Sequence, residues 1–209
     1  MALNLQFARF PALKRLAHFE HPAQPSLDPR LIEELATGRY LAEGRIVVFL
    51  GPPGVGKTHL AIGLGVACAE LGHRVYFTTV QDLARRLAKA VHENKLHREL
   101  HNFTRPKLLI IDEVGYLRLE PAQASLLFQV IAQRYDTGGS IVLTSNKAFA
   151  EWAEVFAGDA VMAGAALYRL LHKATVVTLR GDSYRLRERK KAGLPSPAHD
   201  QPPTKERDN

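Results

Sequence analysis

The chain has 209 residues, which suits one domain with flanking segments and leaves too little length for two full domains. Hydrophobic residues make up 46% and charged residues 23%, so the composition excludes a chain that is disordered throughout. Lys and Arg number 28 against 21 Asp and Glu, and the resulting net charge of +7 favours a polyanionic partner such as nucleic acid.

Short apolar runs alternate along the chain with segments of helical periodicity. The runs are typical of strands buried in a parallel sheet, and the alternation predicts an α/β fold with helices on both faces of the sheet. We predict strands at 46–50, 74–78, 108–111, 140–143 and 175–179, and helices at 31–41, 58–71, 81–100, 121–135 and 160–172.

Both ends of the chain differ from this pattern. Residues 1–30 contain four prolines and are predicted to form a lead-in segment that docks on the domain through its Phe, Leu and Ala residues. Residues 188–209 are basic and then Pro-rich, which predicts a disordered tail. Cys68 is the only cysteine and no apolar run approaches the roughly 18 residues of a membrane span, so we expect a cytoplasmic protein.

A phosphate-binding motif follows the first predicted strand directly. The segment satisfies G-x-x-x-x-G-K-[ST], with a strand before it and a helix after it, as a P-loop requires. Its glycines let backbone N–H groups converge on an anion, Lys57 supplies a charge to the β- and γ-phosphates, and Thr58 supplies a hydroxyl to Mg²⁺. We predict that ATP and Mg²⁺ bind here, with the nucleotide held by Gly51, Pro52, Pro53, Gly54, Val55, Gly56, Lys57, Thr58 and His59.

Two adjacent acids, Asp112 and Glu113, end the third predicted strand. Asp112 is placed to hold Mg²⁺ through its water shell, and Glu113 is placed to polarise a water for attack on the γ-phosphate. A glutamate directly after the Mg²⁺-binding aspartate, as Glu113 is here, argues for ATP hydrolysis. Transfer of the phosphate to a small substrate, as in a small-molecule kinase, is the less favoured alternative.

Two further residues are candidates for the catalytic step. Asn146 follows the fourth predicted strand, where it either positions the attacking water or caps the next helix. Arg169 lies in an otherwise apolar helix, where it either extends along the surface to solvent or reaches the γ-phosphate of a neighbouring subunit as an arginine finger.

These motifs together resemble the AAA+ ATPases, and more closely the IstB-like transposition helper proteins of insertion sequences, which are relatives of the DnaC helicase loader. The resemblance covers residues 10–187 and rests on GPPGVGKTHLAIGLG (51–65), LLIIDEVGYL (108–117), LLFQVIAQRY (126–135), the turn at 144–146 with the following Trp152 and Phe156, and RGDSYRLR (180–187).

The resemblance implies a three-layer P-loop NTPase domain of the AAA+ type at residues 31–187, with a five-stranded parallel sheet. It implies a Walker B pair at Asp112 and Glu113, a sensor at Asn146 and a finger at Arg169. Members usually carry a further N-terminal helical region, which we expect to be missing here, and an acid in place of Tyr168. About 30 residues follow the last predicted strand, so we expect no helical lid domain and a nucleotide sealed by a neighbouring subunit.

Two basic clusters are candidates for DNA contact. Residues 78–107 and residues 180–191 each have an excess of four positive charges, and Arg85, Lys89 and His92 share one helix face. Either cluster could follow a phosphate backbone, or could simply be a solvated face. The residues we predict to contact DNA are Arg85, Arg86, Lys89, Arg187 and Lys190.

The function implied by the resemblance is that of an ATP-dependent assembly factor. Such a protein binds duplex DNA as a homo-oligomer and helps the transposase encoded by the same element to capture its target. A helicase loader similar to DnaC, in which the same ATPase acts on a replicative helicase, is the alternative.

Overall fold

A computed structural model of the chain describes residues 2–21, 24–181 and 183–184. None of the helices in these ranges is both long and apolar enough to cross a membrane. The strands are β1 (Ile46–Leu50), β2 (Val75–Thr79), β3 (Leu108–Val114), β4 (Ser140–Ser145) and β5 (Ala174–Thr178). The helices are α1 (Ala2–Phe7), α2 (Pro29–Ala36), α3 (Lys57–Glu70), α4 (Val80–His92), α5 (Leu96–Thr104), α6 (Pro121–Asp136), α7 (Trp152–Val155) and α8 (Ala160–Leu171).

The five strands form one parallel sheet in the order β2-β3-β4-β1-β5. This confirms the predicted five-stranded parallel sheet, and it places β3 beside β4. Because all strands run the same way, the segments that follow β1, β3 and β4 meet at one edge of the sheet, which is where ligands bind in open α/β sheets. β1 pairs with β4 along its whole length, from Ile46 opposite Ile141 to Leu50 opposite Ser145. This register aligns the carboxyl ends of the two strands.

The strands of the sheet are apolar on both faces, as β1 illustrates. Val47 and Phe49 belong to a core shared with α2 and α3, whereas Ile46 and Val48 belong to a core shared with α4 to α8. Burial on both faces explains why β1 is a continuous run of apolar residues rather than an alternating one. The result is the predicted three-layer architecture.

The segment before α2 packs against α3. Ala8 is fully buried, and its carbonyl accepts a hydrogen bond of 2.8 Å from the Phe77 amide on the edge strand β2. A Cβ added at Gly63 of α3 would lie 2.5 Å from Leu16 Cδ2, so the absence of a side chain at Gly63 permits this close approach. Leu5, Phe10 and Phe19 also pack on the α3 core.

The predicted helix at 81–100 is wrong in one respect, because the structure has two helices there. The break is at Asn94, whose φ is +55°. The Lys95 amide donates to the Ala90 carbonyl at 2.8 Å and the Asn94 amide donates to the Val91 carbonyl at 3.1 Å, which is the Schellman arrangement that ends a helix. Asn tolerates the left-handed conformation better than most residues, so Asn94 is the local signal for this break.

The amino ends of β3 and β4 are held by a buried arginine that the sequence analysis did not single out. Arg134, near the end of α6, has no exposed surface, and its guanidinium donates to five backbone carbonyls. Burial lowers the pKa of Arg134 to about 10, which still leaves it protonated at neutral pH. The accepting carbonyls are those of Phe103, Thr104, Pro106, Lys107 and Ser140, at 2.5–3.2 Å.

Replacement of Arg134 by Met is expected to lower the free energy of unfolding by about 2–4 kcal/mol, because several buried carbonyls lose their donor. The Arg134→Lys variant should lose less, since an ammonium can still donate to some of them. Urea denaturation measures both values. Arg30→Met, at an exposed position in α2, is the control and should stay within about 0.5 kcal/mol of the parent. An Arg134→Met variant as stable as this control would contradict the assignment.

Candidate nucleotide-binding site

The loop between β1 and α3 has the conformation that the motif predicts. Gly56 is the N-cap of α3 with a φ of +100°, and a Cβ on it would lie 2.7 Å from the Phe19 ring. Any other residue at this position would therefore be strained and would clash. Lys57 begins the helix and is almost completely buried, and its Nζ donates to the carbonyl oxygens of Gly51 and Pro52 at 2.7 Å each.

A pocket of about 400 Å³ opens over this loop. Most of the residues predicted to bind nucleotide line it, while Gly51 and Pro52 contribute the carbonyls that hold Lys57. Segments distant in sequence complete the wall: residues 14–20 with Gln24, the turn after β3, and Tyr184. The lining residues are Lys14, His18, Phe19, Glu20, Gln24, Pro53, Gly54, Val55, Gly56, Lys57, Thr58, His59, Glu113, Tyr116, Thr144 and Tyr184.

Asp112 lies at the carboxyl end of β3 and is almost completely buried. Its Oδ1 accepts hydrogen bonds from Thr58 Oγ1 at 3.0 Å and from Thr144 Oγ1 at 2.5 Å. These two hydroxyls offset part of the cost of burying a carboxylate. The bond to Thr58 also fixes the distance between the first turn of α3 and the end of β3, so the two predicted Mg²⁺ ligands are brought together.

Glu113 is turned away from Asp112 by an irregularity in the sheet. The pairing of β3 with β4 shifts between Ile111 and Val114, and Glu113 takes a φ of +63°. Its amide donates to Thr144 Oγ1 at 3.0 Å, and its side chain is exposed and lines the pocket. A bulge of this kind points adjacent side chains in different directions, so that one carboxylate is buried and the next faces the pocket.

Asn146 lies directly after β4, beside the turn that follows β3. A Cβ added at Gly115 would lie 3.1 Å from Asn146 Oδ1, which places the amide against the segment that carries Glu113. Within the part of the chain that the structure describes, this Oδ1 is buried and has no hydrogen-bond partner. Asn146 makes no helix-capping hydrogen bond among the described contacts. The next turn is capped instead by Glu151, whose Oε2 accepts from the Ala148 amide at 2.9 Å.

Arg169 is not among the residues that line the pocket of its own chain. It lies in α8, where Nη1 donates to the Ala165 carbonyl at 3.0 Å and the guanidinium carbon lies 5.2 Å from the centre of the Phe128 ring. The structure therefore brings together all the predicted nucleotide and metal residues with Glu113, but it does not bring Arg169 to them.

Several pocket residues were missed by the sequence analysis. Thr144 was recognised as part of a turn but not as a partner of both Asp112 and Glu113. Its position after β4, beside β3, was the available signal. Gln24 donates to the Val55 carbonyl at 3.1 Å, and Tyr184 donates to Glu20 Oε1 at 2.8 Å. Neither contact has a local sequence signal, because each joins segments that are far apart in the chain.

The basic residues predicted to contact DNA behave differently from one another. Arg85 and Lys89 are exposed on α4, but Arg85 pairs with Asp82 and Lys89 with Glu93. Arg86 does not share their exposed face: its Nε donates to Glu99 Oε1 at 2.7 Å, and another guanidinium nitrogen donates to the Tyr76 hydroxyl. Arg187 and Lys190 lie outside the described residues.

The donors at this site fit a magnesium nucleotide. One carboxylate and one hydroxyl, 3.0 Å apart, match the small number of protein ligands that Mg²⁺ takes beside water and phosphate oxygens. The loop at the N-terminus of α3 and the ammonium of Lys57 supply positive potential at the same point. The Oδ1 of Asn146, which has no partner among the described residues, leaves an acceptor for a water beside Glu113.

Comparisons with known proteins agree with this geometry. The model of the family described as IstB-like ATP binding protein matches residues 1–192. A protein from Pseudomonas aeruginosa, named as an ATP-binding protein of insertion sequence IS21, is 46% identical over 194 residues, which cover 93% of this chain and 72% of that protein. The corresponding protein of insertion sequence IS5376 from Geobacillus stearothermophilus is 47% identical over 186 residues, covering 89% and 73%.

A solved structure of the DnaC helicase loader has the same fold. It superimposes with a TM-score of 0.63 at 25% identity, covering 72% of this chain and 87% of that one. The likeness confirms the P-loop fold of the AAA+ type.

Replacement of Thr144 by Val removes the hydroxyl between the two acids without changing the size of the side chain. We expect the free energy of unfolding to fall by about 1–3 kcal/mol, because Asp112 and the Glu113 amide each lose a partner. We expect phosphate release from ATP to fall as well, since Glu113 is no longer held in its conformation. Thr144→Ser is the matched control and should keep most of both properties. Equal behaviour of the Val and Ser variants in urea denaturation and in phosphate release would contradict this role.

Proposed function

The chain belongs to the family of IstB-like ATP-binding proteins, and on that premise we propose that it hydrolyses ATP, assembles on duplex DNA and assists the transposase of an insertion sequence in capturing its target. The observation that carries the ATPase part is the bulge at the end of β3. It separates the buried carboxylate of Asp112, which is hydrogen-bonded to Thr58, from the exposed carboxylate of Glu113, which lines the pocket.

Hydrolysis would use the residues of this pocket in distinct roles. Glu113 accepts a proton from a water as the water oxygen attacks the γ-phosphorus, and the bond from that phosphorus to the bridging oxygen of ADP breaks. Lys57 exchanges its two carbonyl partners for β- and γ-phosphate oxygens and stabilises the charge that develops on them. Asn146 hydrogen-bonds the attacking water through its amide. The products are ADP and phosphate.

Mg²⁺, when bound with the nucleotide, would neutralise charge on the β- and γ-phosphate oxygens. Thr58 and Asp112 would hold it, the first through its hydroxyl and the second through the water shell. Both side chains already share a hydrogen bond, so the protein part of this site is preorganised before the nucleotide arrives.

A neighbouring subunit would complete the site. Arg169 lies in its own chain on Phe128 and away from the pocket, as a residue that acts on another subunit must. Its Nε is buried without a hydrogen-bond partner among the described residues, so the guanidinium must move off the Phe128 ring before this nitrogen can donate to a phosphate of another subunit. We infer that ATP binding is coupled to assembly through this residue.

The DNA and transposase parts of the proposal are supported by relatives and by charge. The two relatives at 46–47% identity are named for insertion sequences, and such elements carry their own transposase. The net charge of +7 favours DNA, and the exposed arginine and lysine on α4, Arg85 and Lys89, are candidates for backbone contacts. Their pairing with Asp82 and Glu93 must be broken or shared for this to occur.

A second candidate function is that of a helicase loader, and the structural likeness to DnaC favours it. The two functions share the same ATPase and differ in the partner protein. A pull-down of this chain with the transposase of its own element, against the replicative helicase of the same cell, separates them.

The variants Lys57→Ala and Glu113→Gln test the ATPase part. Lys57→Ala should lose ATP binding in calorimetry, because the phosphates lose their buried cation. Glu113→Gln should still bind ATP but should release phosphate at least about 100-fold more slowly, because it cannot accept the proton. Duplex DNA should increase phosphate release by the parent protein.

Retained hydrolysis in Glu113→Gln would overturn the assignment of Glu113. Unchanged ATP binding in Lys57→Ala would overturn the nucleotide site as a whole. A phosphorylated small molecule in place of free phosphate would show the kinase alternative instead.

Mixing of two inactive variants tests the role of Arg169. Arg169→Ala should bind ATP normally and hydrolyse it roughly 10³-fold more slowly. When it is mixed with Lys57→Ala, each variant supplies what the other lacks, so mixed assemblies on DNA should regain part of the activity. Sedimentation with ATP and DNA should show oligomers. A strict monomer under all conditions, or no recovery in the mixture, would contradict action between subunits.

A further inference from the structure

An open cleft of about 600 Å³ lies at the opposite end of the sheet from the nucleotide pocket. It is formed where the segment after α1, the start of β2 and the helix α5 come together. Six of its residues carry or can carry positive charge, and no Asp or Glu is among the described residues that line it. These six are Arg9, Arg74, His97, Arg98, His101 and Arg105.

The arginines of this cleft lack acidic partners in the part of the chain that the structure describes. All four are exposed, and none of them takes part in an ion pair within the described residues. Glu99, the acid on α5, forms an ion pair with Arg86 and also accepts a hydrogen bond of 2.8 Å from the Asn102 side-chain amide. The cleft therefore differs from the outer face of α4, where Arg85 and Lys89 are each paired.

The cleft is held in shape by several contacts. Arg9 has a φ of +59°, an unfavourable conformation for this residue type, and its guanidinium carbon lies 5.7 Å from the centre of the Tyr76 ring. The hydrogen bond between the Ala8 carbonyl and the Phe77 amide fixes the backbone beside it. Strain of this kind persists only where the surrounding structure imposes it.

The α5 side of the cleft is equally ordered. Arg105 is the C-cap of α5 and keeps a helical backbone conformation, so it lies on the same side of the helix axis as Arg98, seven residues and two turns earlier. His97 and His101 lie one turn apart, with 3.2 Å between their Nε2 atoms. The buried Arg134 donates to the carbonyls of Phe103, Thr104, Pro106 and Lys107, which fixes the backbone on both sides of Arg105.

We propose that this cleft binds successive backbone phosphates of the duplex DNA on which the protein assembles. Guanidinium groups match phosphate oxygens in geometry as well as in charge, and exposed arginines without acidic partners lose no ion pair on binding. The proposal rests on the DNA-binding part of the proposed function and adds a location to it. Because a concave cleft does not enter a groove, its contacts are expected to be independent of base sequence.

The double variant Arg98→Gln, Arg105→Gln tests the proposal. The full chain is titrated against fluorescent duplex DNA of random sequence over a series of salt concentrations. Loss of two phosphate contacts should weaken binding roughly tenfold or more at moderate salt and should reduce the slope of log K against log[salt] by about 1.8. Phosphate release from ATP without DNA should equal that of the parent, since neither residue lines the nucleotide pocket.

The matched control is Arg30→Gln, Arg39→Gln, which removes the same net charge from exposed positions outside the cleft. It should leave affinity and slope close to those of the parent. Equal loss in both double variants would overturn the cleft as a local site. A parent protein that does not bind duplex DNA at all would instead overturn the DNA part of the proposed function.

A last experiment replaces chloride by inorganic phosphate at constant ionic strength and measures thermal unfolding and duplex binding. If phosphate protects the parent from thermal unfolding through Arg98 and Arg105 while duplex binding is unaffected by their replacement, the cleft is a small-anion site and the proposal is wrong. Competition of phosphate with duplex only at high concentration agrees with a site built for a polyanion.

Discussion

The hydroxyl of Thr144 is the point on which the geometry of the nucleotide site depends. It donates to Asp112, which also accepts from Thr58, and it accepts from the Glu113 amide, so one small group bonds to both residues at the bulge in β3. The left-handed conformation of Glu113 is unfavourable by itself, and this hydrogen bond together with the adjacent strand pairing maintains it. Thr58 extends this hydrogen-bond network to α3, so the ends of β3 and β4 and the phosphate-binding loop are held in fixed positions relative to one another.

Two buried charges, one at each end of the central strands, are stabilised in the same manner. Asp112 at the carboxyl ends is bound by two hydroxyls, and Arg134 at the amino ends is bound by five carbonyls. Within the described residues neither side chain has a partner of opposite charge. Hydroxyl and carbonyl dipoles thus take the place of a counter-ion for each charge. Asp112 therefore remains able to interact with a cation, and Arg134 connects α6 to the segment before β3.

Much of the fold could be predicted from sequence because its signals are local. The apolar run of β1 and the glycine motif after it lie in adjacent positions, and the pair Asp112-Glu113 follows another such run. The bulge could not be predicted, since it depends on the pairing of β3 with β4. Neither could the full burial of Arg134 or the pairing of the half-buried Arg86 with Glu99. Asn94 is a local signal that was overlooked, because the apolar periodicity of α4 continues into α5 and hides the turn between them.

Positive charge on this protein is informative only when its partners are known. The charges of α4 lie three or four residues from acids, so local pairs reduce the potential of a face that is basic in composition. The arginines of the cleft come from three separate segments and form no ion pair with an acid among the described residues. The nucleotide pocket lies at the carboxyl ends of β2 and β3, and the cleft lies at their amino ends. At the carboxyl ends, Thr79 pairs with Asp112, and its hydroxyl also caps α4 by accepting from the Asp82 amide at 3.1 Å. Thr79 thus joins the strand end that carries Asp112 to the first turn of α4, and α4 packs on α5, so a continuous set of contacts connects the nucleotide site with the helix that forms one wall of the cleft.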